Sequence, residues 1–592
     1  MAEQHIRSIL LADCGTVMTK VVLLDRAGGQ YRFVARGEAP TTAEYPWSDV
    51  AEGIRHAVEQ ISQVTGRDFF DATGNLISPE LDRQGVDVFA ATVSASQPLQ
   101  VVLGGLVRDL SVASAERAAA GTYSLVKAIV AGAAGDGRVG AGSPRPYSDE
   151  ERVRTIREAA SDVICIAGGV EGGATTPVLE LVDAAALACS LIEPELRPRL
   201  LYAGNSHLRR QVVDLVGERA ELRVADNVRP TLTEENLSSA QAELDALYLQ
   251  EKMQQLPGID TVSGWSSTPL IPTARAFGRL AQYLWHLGDP SKGVLGVDVG
   301  AANTTIAAVF DGRLALTVRC DLGTAFGGKQ YLQKHGADTV TRWMPEPMDS
   351  DDACGLFINK EIRPVSIPQE PCELHLEQSL AREAIRAALQ VARPGWRPGA
   401  AQPYPHLLPL CDTIVVSGGI LAHTPRPGQA ALIVLDGLEP IGVTTLVLDA
   451  HGLAPALGNI AALKPLAAVE TLDSGGLVNL ATVVTPVGRA RHGDTILKMQ
   501  VAYDDGSKFS VEVCYGDLEV LPLAPGQQAV LELRPLRHFD VGLGGPGKAG
   551  KRRVSGGLVG LIIDARGRPL RFPSDPEQRL TQMRQWLWDM GG

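Results

Sequence analysis

Two short stretches of the sequence carry residues that could bind the phosphates of a nucleotide. In each stretch an apolar run ends in Asp-x-Gly, followed by small or hydroxyl residues. The candidate residues are Asp13, Gly15, Thr16, Thr19 and Lys20 in the first loop and Asp298, Gly300, Asn303 and Thr304 in the second. A tight turn after a strand directs several N–H groups one way, and glycine lets a phosphate approach them. A bare carboxylate repels phosphate, so we expect Asp13 and Asp298 to hold Mg²⁺, mostly through water.

Lys20 adds a positive charge to the first loop, either as a phosphate ligand or as a surface lysine. A third stretch, Ser417-Gly418-Gly419, follows the largely apolar run 413–416. A Gly-Gly turn after a buried strand allows close approach of a nucleoside, with the following helix N-terminus toward phosphate. Each stretch alone is weak evidence for a nucleotide site, but the three together favour one.

Other nucleotide and catalytic motifs are missing from the sequence. It has no Walker-A motif, no Gly-x-Ser-x-Gly elbow and no His-Glu-x-x-His. Residues 168–173 read Gly-Gly-Val-Glu-Gly-Gly, which is not a dinucleotide fingerprint and is either a ligand loop or a plain turn.

The two Asp-x-Gly loops lie in matching contexts. Runs 8–12, 21–24 and 31–36 predict strand, loop, strand, turn and strand around the first loop. Runs 293–297, 306–310 and 314–319 predict the same order around the second. The repetition indicates a duplicated structural unit.

The remaining segments predict a mixed architecture. Residues 163–254 alternate apolar runs with helical patterns, which is typical of a parallel sheet covered on both faces. Beyond about residue 473, short alternating runs separated by Gly and Asp predict a small all-β module. A final helix over 576–590 carries Trp586 and Trp588.

Composition restricts the partners and the compartment. The 592-residue chain has a net charge of −13 and 5% aromatic residues, which disfavours binding to nucleic acid or an anionic membrane. No uninterrupted run of 18 apolar residues is present, and the N-terminal apolar run is too short for a signal peptide. The eight cysteines are scattered without Cys-x-x-Cys, so we expect reduced thiols in a cytoplasmic protein.

The order of the three motifs resembles the actin, sugar-kinase and heat-shock-chaperone ATPase superfamily. More narrowly, LLADCGTVMTKVVLLD, DVICIAGGVEGG, LLYAGNSHLR and GVDVGAANTTI resemble the glutamate mutase accessory family, called GlmL or MutL, over roughly residues 5–470. The resemblance implies an α/β fold with two actin-like (ribonuclease H-like) lobes. The expected divisions are 1–160 for the first lobe, 161–290 for an inserted βα segment, 291–472 for the second lobe and 473–592 for the β-rich C-terminal module.

The same resemblance implies ATP and Mg²⁺ as cofactors and subunits of an adenosylcobalamin-dependent mutase as partners. The implied role is assembly or reactivation of that enzyme. Three departures from the family pattern leave hydrolysis open, because Val17 replaces a hydroxyl, Ala301 a glycine and Thr305 a carboxylate. If Ala301 required a positive φ, the strain would cost about 1 kcal/mol or more.

Alternatives to a slow Mg-dependent ATPase remain. One is a pseudo-ATPase scaffold whose β module and terminal helix bind a partner. Others are a small-molecule kinase, for which no catalytic carboxylate is assigned, and a filament-forming ATPase. The sequence leaves the partner, the oligomeric state and the role of the C-terminal module undetermined.

Overall fold

The computed structural model describes residues 6–133 and 148–591, and the chain forms two compact units. Unit 1 comprises Met1–Ala95, Pro257–Leu316 and Asp321–Gly592, and unit 2 comprises Ser96–Leu256 and Thr317–Cys320. The limits of unit 2 do not coincide with the expected divisions at residues 160 and 290.

The strands are named in chain order. They are β1 Ser8–Cys14, β2 Met18–Ala27, β3 Gln30–Pro40, β4 Val88–Val93, β5 Leu99–Val107, β6 Ser124–Ala133, β7 Val163–Ala167, β8 Arg199–Tyr202, β9 Leu222–Val224, β10 Ile271–Pro272, β11 Gly293–Val299, β12 Thr304–Phe310, β13 Arg313–Arg319, β14 Cys411–Ser417, β15 Gly442–Leu448, β16 Val478–Thr485, β17 Thr495–Tyr503, β18 Lys508–Cys514, β19 Leu518–Leu521, β20 Gln528–Pro535, β21 Gly550–Ser555 and β22 Gly560–Asp564.

The α-helices are α1 Val50–Thr65, α2 Ala113–Ala120, α3 Asp149–Glu158, α4 Thr176–Ser190, α5 Arg209–Val216, α6 Ser238–Tyr248, α7 Ile259–Trp265, α8 Thr273–Leu287, α9 Gly328–His335, α10 Asp338–Thr341, α11 Ser350–Ile362, α12 Pro371–Ala392, α13 Gly419–Ala422, α14 Pro427–Leu438, α15 Ala454–Ile460, α16 Pro465–Asp473 and α17 Pro576–Asp589. Short π or 3₁₀ segments are Arg108–Val112, Pro194–Leu196, Ser206–Leu208, Gly217–Arg219, Leu249–Met253, Arg393–Gly395 and Gly399–Ala401. Across the described ranges, every helix is too short or too polar to span a membrane.

Unit 1 contains two sheets built around the repeated strand pattern. The first has the order β10-β4-β1-β2-β3, and the second has the order β13-β12-β11-β14-β15-β16-β22-β19. In both, an antiparallel hairpin (β1-β2 or β11-β12) continues through a parallel neighbour, β4 or β14. The predicted duplication is therefore visible in the backbone pairing.

Two helices connect these sheets within unit 1. Helix α8 packs against β11 and β12, α15 packs against β1 and β4, and the two helices pack against each other. A Cβ added at Gly458 would lie 1.8 Å from the Ala276 carbonyl oxygen, so only glycine permits this crossing. The Asn459 side-chain amide also donates to the Ala91 carbonyl on β4 at 3.1 Å.

The C-terminal strands separate into two groups. The predicted antiparallel module is present as the four-stranded sheet β18-β17-β20-β21. However, β16, β22 and β19 extend the second sheet of unit 1, with β16 pairing antiparallel to β15 over seven residue pairs. Most side chains of β16 are buried, so this strand fits a sheet interior.

A buried ionic network fixes the C-terminal strands to the helices of the second sheet. Asp436 on α14 accepts from Arg382 on α12 at 2.8 Å and from Arg566 at 2.9 Å. Asp564 on β22 pairs with both Arg566 and Arg568. Burial alone would raise the pKa of Asp564, but the two guanidiniums hold that pKa well below its ordinary value. Removing one member would leave an uncompensated buried charge.

Unit 2 contains the predicted parallel sheet, with the order β6-β5-β7-β8-β9. In the chain order of its own strands this is 2-1-3-4-5, a common doubly wound arrangement. Within the stretch 163–254, whose pattern predicts alternating strands and helices, α6 begins at Ser238. The Glu234 N–H donates to the Thr231 hydroxyl at 3.1 Å, which favours a turn before the helix.

Candidate functional site

The two Asp-x-Gly loops have the same backbone arrangement. Asp13 lies opposite Lys20 in the β1-β2 hairpin, and Asp298 lies opposite Thr305 in the β11-β12 hairpin. The Gly15 N–H donates to the Met18 carbonyl at 3.1 Å. The equivalent bond, from Gly300 to Asn303, measures 2.9 Å. The loops are thus equivalent residue by residue.

The tips of both loops carry unused backbone donors. Within residues 6–133 and 148–591, the N–H groups of Thr16 and Val17 donate to no acceptor, and neither do those of Ala301 and Ala302. Such adjacent donors suit anionic oxygens. Ala301 is not among the described residues with positive φ, so the strain considered for this substitution does not arise.

Asp13 is held by hydroxyl groups from two other elements. Its Oδ1 accepts from Thr92 on β4 at 2.8 Å and from Thr273 at the start of α8 at 2.7 Å. Burial raises the pKa of Asp13, an effect that Lys20 and the two hydroxyls oppose and that the negative Asp449 reinforces. The carboxylate is therefore rigidly placed, and one oxygen remains without a protein donor in the described chain.

Asp298 is also buried without a cation on its own hairpin. Burial raises its pKa from 3.8 to about 6, with Lys20 opposing the shift and Asp13 and Asp449 adding to it. The Ser417 hydroxyl also lowers this pKa slightly. The same lysine thus acts on both aspartates, although it lies on only one hairpin.

Asp449 is a third carboxylate at the site, and it is not among the residues predicted from the sequence. It directly follows β15, and its oxygens accept from the N–H groups of Leu453 at 2.7 Å and Ala454 at 2.9 Å. The Ser417 hydroxyl donates to it at 3.1 Å. The available signal was an apolar run ending in Asp, as at the other two aspartates. The Asp449 carboxylate thus accepts from N–H groups at the start of α15, although Leu453 is the N-cap residue of that helix.

Lys20 is confined by the backbone beyond Asp449. A Cβ added at Gly452, which has φ +69°, would lie 3.1 Å from Lys20 Cδ. A larger residue there would displace the lysine stem. The ammonium group is therefore kept near the carboxylates, where it can neutralise them or contact a phosphate.

The threonine hydroxyls of the two loops form hydrogen bonds within the protein. Thr16 donates to the Ser94 carbonyl at 2.9 Å, and Thr304 donates to the Leu322 carbonyl at 2.9 Å. The buried Thr19 hydroxyl pairs with Thr41 at 3.0 Å. The other predicted residues lie at the two hairpins. These are Asp13, Gly15 and Lys20 at the first hairpin and Asp298, Gly300 and Asn303 at the second. Their proposed ligand contacts remain predictions.

The Ser417-Gly418-Gly419 turn lies beside the second loop. Ser417 pairs in register with Asp298, and Gly418 has φ +104°. A Cβ on Gly418 would lie 2.1 Å from the Val299 carbonyl oxygen, whereas one on Gly419 would meet open space. The following helix α13 has only four residues, so its dipole offers little attraction to a phosphate.

The acidic groups fit a magnesium ion only when other ligands complete it. In the parts of the chain with described coordinates, no three His, Cys, Asp or Glu side chains come together as a metal cluster. Asp13 and Asp298 supply hard oxygen donors, and Mg²⁺ commonly combines one or two carboxylates with water and phosphate oxygens. The donor chemistry therefore fits Mg²⁺ bound together with a nucleotide.

The glycine-rich loop 168–173 lies in unit 2 and is fixed by its neighbours. Glu171 accepts from the Asn227 side chain at 2.8 Å and from the Ser206 N–H at 3.3 Å. Asn205 accepts from the Gly172 N–H at 3.3 Å. These bonds explain the loop as a structural turn, and they leave a ligand role untested.

Comparison with known proteins gives one extended match. The family model described as MutL protein matches residues 9–475. A search among curated proteins found no match.

Several solved structures share weak similarity. Nucleotide-free acetone carboxylase is 10% identical, with 86% of this chain and 81% of that chain covered and a TM-score of 0.31. The ethanolamine utilization protein EutJ from Carboxydothermus hydrogenoformans is 12% identical, with 76% and 88% covered and a TM-score of 0.27. Xylulose kinase from Bifidobacterium adolescentis is 12% identical, with 78% and 93% covered and a TM-score of 0.26. TM-scores this low do not determine a function.

Proposed function

The chain belongs to the MutL protein family, and on that premise we propose that it is an ATP-binding, chaperone-like accessory protein. Its role is to support assembly or reactivation of an adenosylcobalamin-dependent mutase such as glutamate mutase. The mutase subunits are the proposed partners, and the proposed location is the cytoplasm.

The arrangement of charges around Lys20 supports nucleotide binding most directly. Asp13 and Asp298 end equivalent strands, and Lys20 acts electrostatically on both. The unused N–H groups at the loop tips would contact phosphate oxygens, and Lys20 would neutralise them. Mg²⁺, held by Asp13 and Asp298 through water, would supply charge neutralisation to the phosphates. Gly418 and Gly419 would let the nucleoside approach the backbone.

A pseudo-ATPase scaffold is the second candidate function, and two observations favour it. Thr305 occupies the second-loop position expected to carry a carboxylate. Asp449 does not replace that carboxylate, because both its oxygens accept hydrogen bonds from the start of α15. A carboxylate fixed in this way is poorly suited to orient an attacking water. Slow hydrolysis or binding without hydrolysis is therefore expected.

Calorimetric titration with ATP, with and without Mg²⁺, tests the nucleotide site. We expect Mg-dependent binding that Asp13→Asn and Asp298→Asn weaken by about tenfold or more, as for lost charged ligands. Asp311→Asn is the matched control, since Asp311 is exposed at the β12-β13 turn. Phosphate release from the same samples distinguishes the ATPase from the scaffold. Absence of ATP binding to the wild-type protein would refute the ATP-binding proposal and leave the scaffold.

The mutase role needs a separate measurement. Glutamate mutase inactivated by a damaged cofactor would be incubated with this protein, Mg·ATP and fresh adenosylcobalamin. Recovery of mutase activity that requires ATP and fails with Asp13→Asn supports reactivation. Normal ATP binding without recovery or complex formation would reject the mutase partner and leave the nucleotide site intact.

A further inference from the structure

A groove on unit 1 lies between the last strand of the second sheet and the C-terminal helix. Its volume is about 890 Å³, within the roughly 300–1,000 Å³ usual for binding clefts. One wall consists of residues of β19 and the preceding turn, including Asp517, Leu518 and Glu519. The other wall is the face of α17 that carries Thr581 and Gln585. The groove is remote in sequence from the nucleotide loops.

Strand β19 has unpaired backbone groups along one edge, at Leu518 in the groove wall and at Val520 just beyond the lining residues. The strand ends the sheet order, and among the described residues it pairs with β22 alone. The Ala565 N–H donates to the Asp517 carbonyl at 2.9 Å. Because hydrogen bonds in an antiparallel ladder involve alternate residues, Glu519 and Leu521 bond toward β22. The peptide groups of Leu518 and Val520 therefore point away from β22, as in an edge strand that can accept another strand.

The α17 wall is fixed in position. The buried Trp586 packs under the Arg566 guanidinium, with 4.4 Å between the guanidinium carbon and the ring centroid. Arg566 belongs to the buried ionic network that includes Asp436 and Asp564. The helix is consequently held at a set distance from the strand edge. An edge strand flanked by a helix is a common arrangement for binding an extended peptide.

The side chains that line the groove give it a negative charge. Five carboxylates line it, and no lysine or arginine does so among the described residues. The carboxylates are Asp517, Glu519, Asp575, Glu577 and Asp589. Burial raises the pKa of Glu519, and the negative Asp517 and Asp589 raise it further. A positively charged occupant would relieve this repulsion.

We propose that the groove binds an extended, lysine- or arginine-bearing segment of a partner protein, which adds to the second sheet as a strand beside β19. Backbone hydrogen bonds to Leu518 and Val520 provide the pairing. The carboxylates on the strand and on α17 select the basic side chains. The proposal is independent of nucleotide binding.

Fluorescence polarisation with three short labelled peptides tests the proposal on the full chain. The first alternates lysine with threonine, the second replaces lysine with glutamate, and the third is the lysine peptide with alternate backbone nitrogens methylated. We expect binding only of the first, because the second has the wrong charge and the third cannot complete the ladder. Equal binding of the methylated peptide would show charge attraction alone and overturn strand addition. Failure of the lysine peptide to bind would reject the groove.

Variants of the protein locate the binding. Glu519→Lys should weaken the lysine peptide by about tenfold or more, whereas Glu512→Lys should not. Glu512 lies on β18 outside the groove and gives the same change in net charge. Val520→Pro removes an outward N–H and should abolish binding, while Val520→Ala, which retains that N–H, should bind normally. Equal effects of Glu519→Lys and Glu512→Lys would place binding elsewhere.

Self-association is checked by sedimentation of the protein without peptide. A concentration-dependent dimer that Glu519→Lys disrupts would identify the occupant as a second copy of this chain and overturn the partner assignment. A monomer that binds the lysine peptide supports the proposal. Thermal unfolding of each variant establishes that it is folded.

Discussion

The hairpin containing Asp13 and the hairpin containing Asp298 share a backbone but differ in charge. Each closes with a glycine N–H bonded to the carbonyl three residues later. The residue opposite the aspartate is Lys20 in the first hairpin and the buried Thr305 in the second. A repeated strand–loop–strand unit can therefore keep its geometry while its two copies take different electrostatic roles.

One lysine therefore serves two aspartates. Lys20 opposes the raised pKa of Asp13 and of Asp298, and Asp449 adds negative charge to both. Asp298, which lacks a cation on its own hairpin, has its pKa raised to about 6. Without ligand the site is electrostatically unfavourable, as expected where binding of a cation is needed. Four predictions test the comparison of the two hairpins, three on their charges and one on their backbones.

The largest expected effect is on stability at neutral pH. The pKa of Asp298 is about 6 when folded and 3.8 ordinarily, so the folded state binds the proton more tightly. The free energy of unfolding should therefore fall as pH rises from about 4 to about 6. Asp298→Asn lacks this loss and should be more stable above pH 6, by on the order of 3 kcal/mol. Urea unfolding across pH without nucleotide measures the difference.

The control for this experiment is Asp311→Asn. The difference between its free energy of unfolding and that of the wild type should not change with pH. If Asp298→Asn were less stable than wild type at every pH, the ionised carboxylate would be stabilised in the fold. The proposed asymmetry would then be incorrect.

The second prediction concerns Lys20→Met. Loss of the ammonium should weaken ATP binding by about 30-fold, or about 2 kcal/mol, as for a hydrogen bond to a charged group. Thr305→Met changes the equivalent position of the second hairpin without removing a charge, so it should have little effect. Calorimetry with Mg·ATP compares the two variants. Equal losses of ATP affinity in the two variants would mean that the Lys20 side chain contributes through packing and not through its charge.

The third prediction adds the missing cation. Thr305→Lys places an ammonium opposite Asp298 and should lower its pKa by about one unit, or about 1.4 kcal/mol. The inflection in the free energy of unfolding should move from about pH 6 toward lower pH. Thr305→Met, measured in parallel, accounts for the larger side chain. An unchanged inflection would show that this position does not act on Asp298.

The smallest expected effect is a difference in stability between alanine variants of the two loop glycines. A Cβ at Gly15 would lie 2.7 Å from the Met18 carbonyl oxygen, and one at Gly300 would lie 3.1 Å from that of Asn303. Gly15→Ala should therefore destabilise the protein by about 1 kcal/mol more than Gly300→Ala, since the clash is closer. Thermal unfolding of both variants checks the order. The reverse order would contradict the closer approach of the Met18 carbonyl to Gly15.

Much of the local structure was predictable. The strands around Asp13 and Asp298, the βα alternation in unit 2 and the amphipathic helix α12 all follow from apolar periodicity. Aspartate, glycine and lysine at the loops also indicated the hairpins at which Lys20 acts electrostatically on Asp13 and Asp298, and their role in binding a ligand stays a prediction. Val17 and Ala301 suggested impaired loops, yet the backbone at Ala301 is unstrained.

Other features depended on contacts that periodicity does not encode. Asp449 joins the site because β15 lies parallel to β14 in the second sheet. The hydroxyls of Thr16 and Thr304 bond to carbonyls far along the chain rather than remaining at the loop surface. The sequence contained each of these residues but did not indicate which residue would lie beside it in the folded protein.

The sequence by itself determined where strands, helices and tight turns form, because side-chain periodicity and glycine act over a few residues. Only the tertiary structure decided that β16, β22 and β19 join the second sheet and that Lys20 faces two aspartates. Pairing and electrostatics act between residues that are distant in the chain and become neighbours only when the sheets assemble.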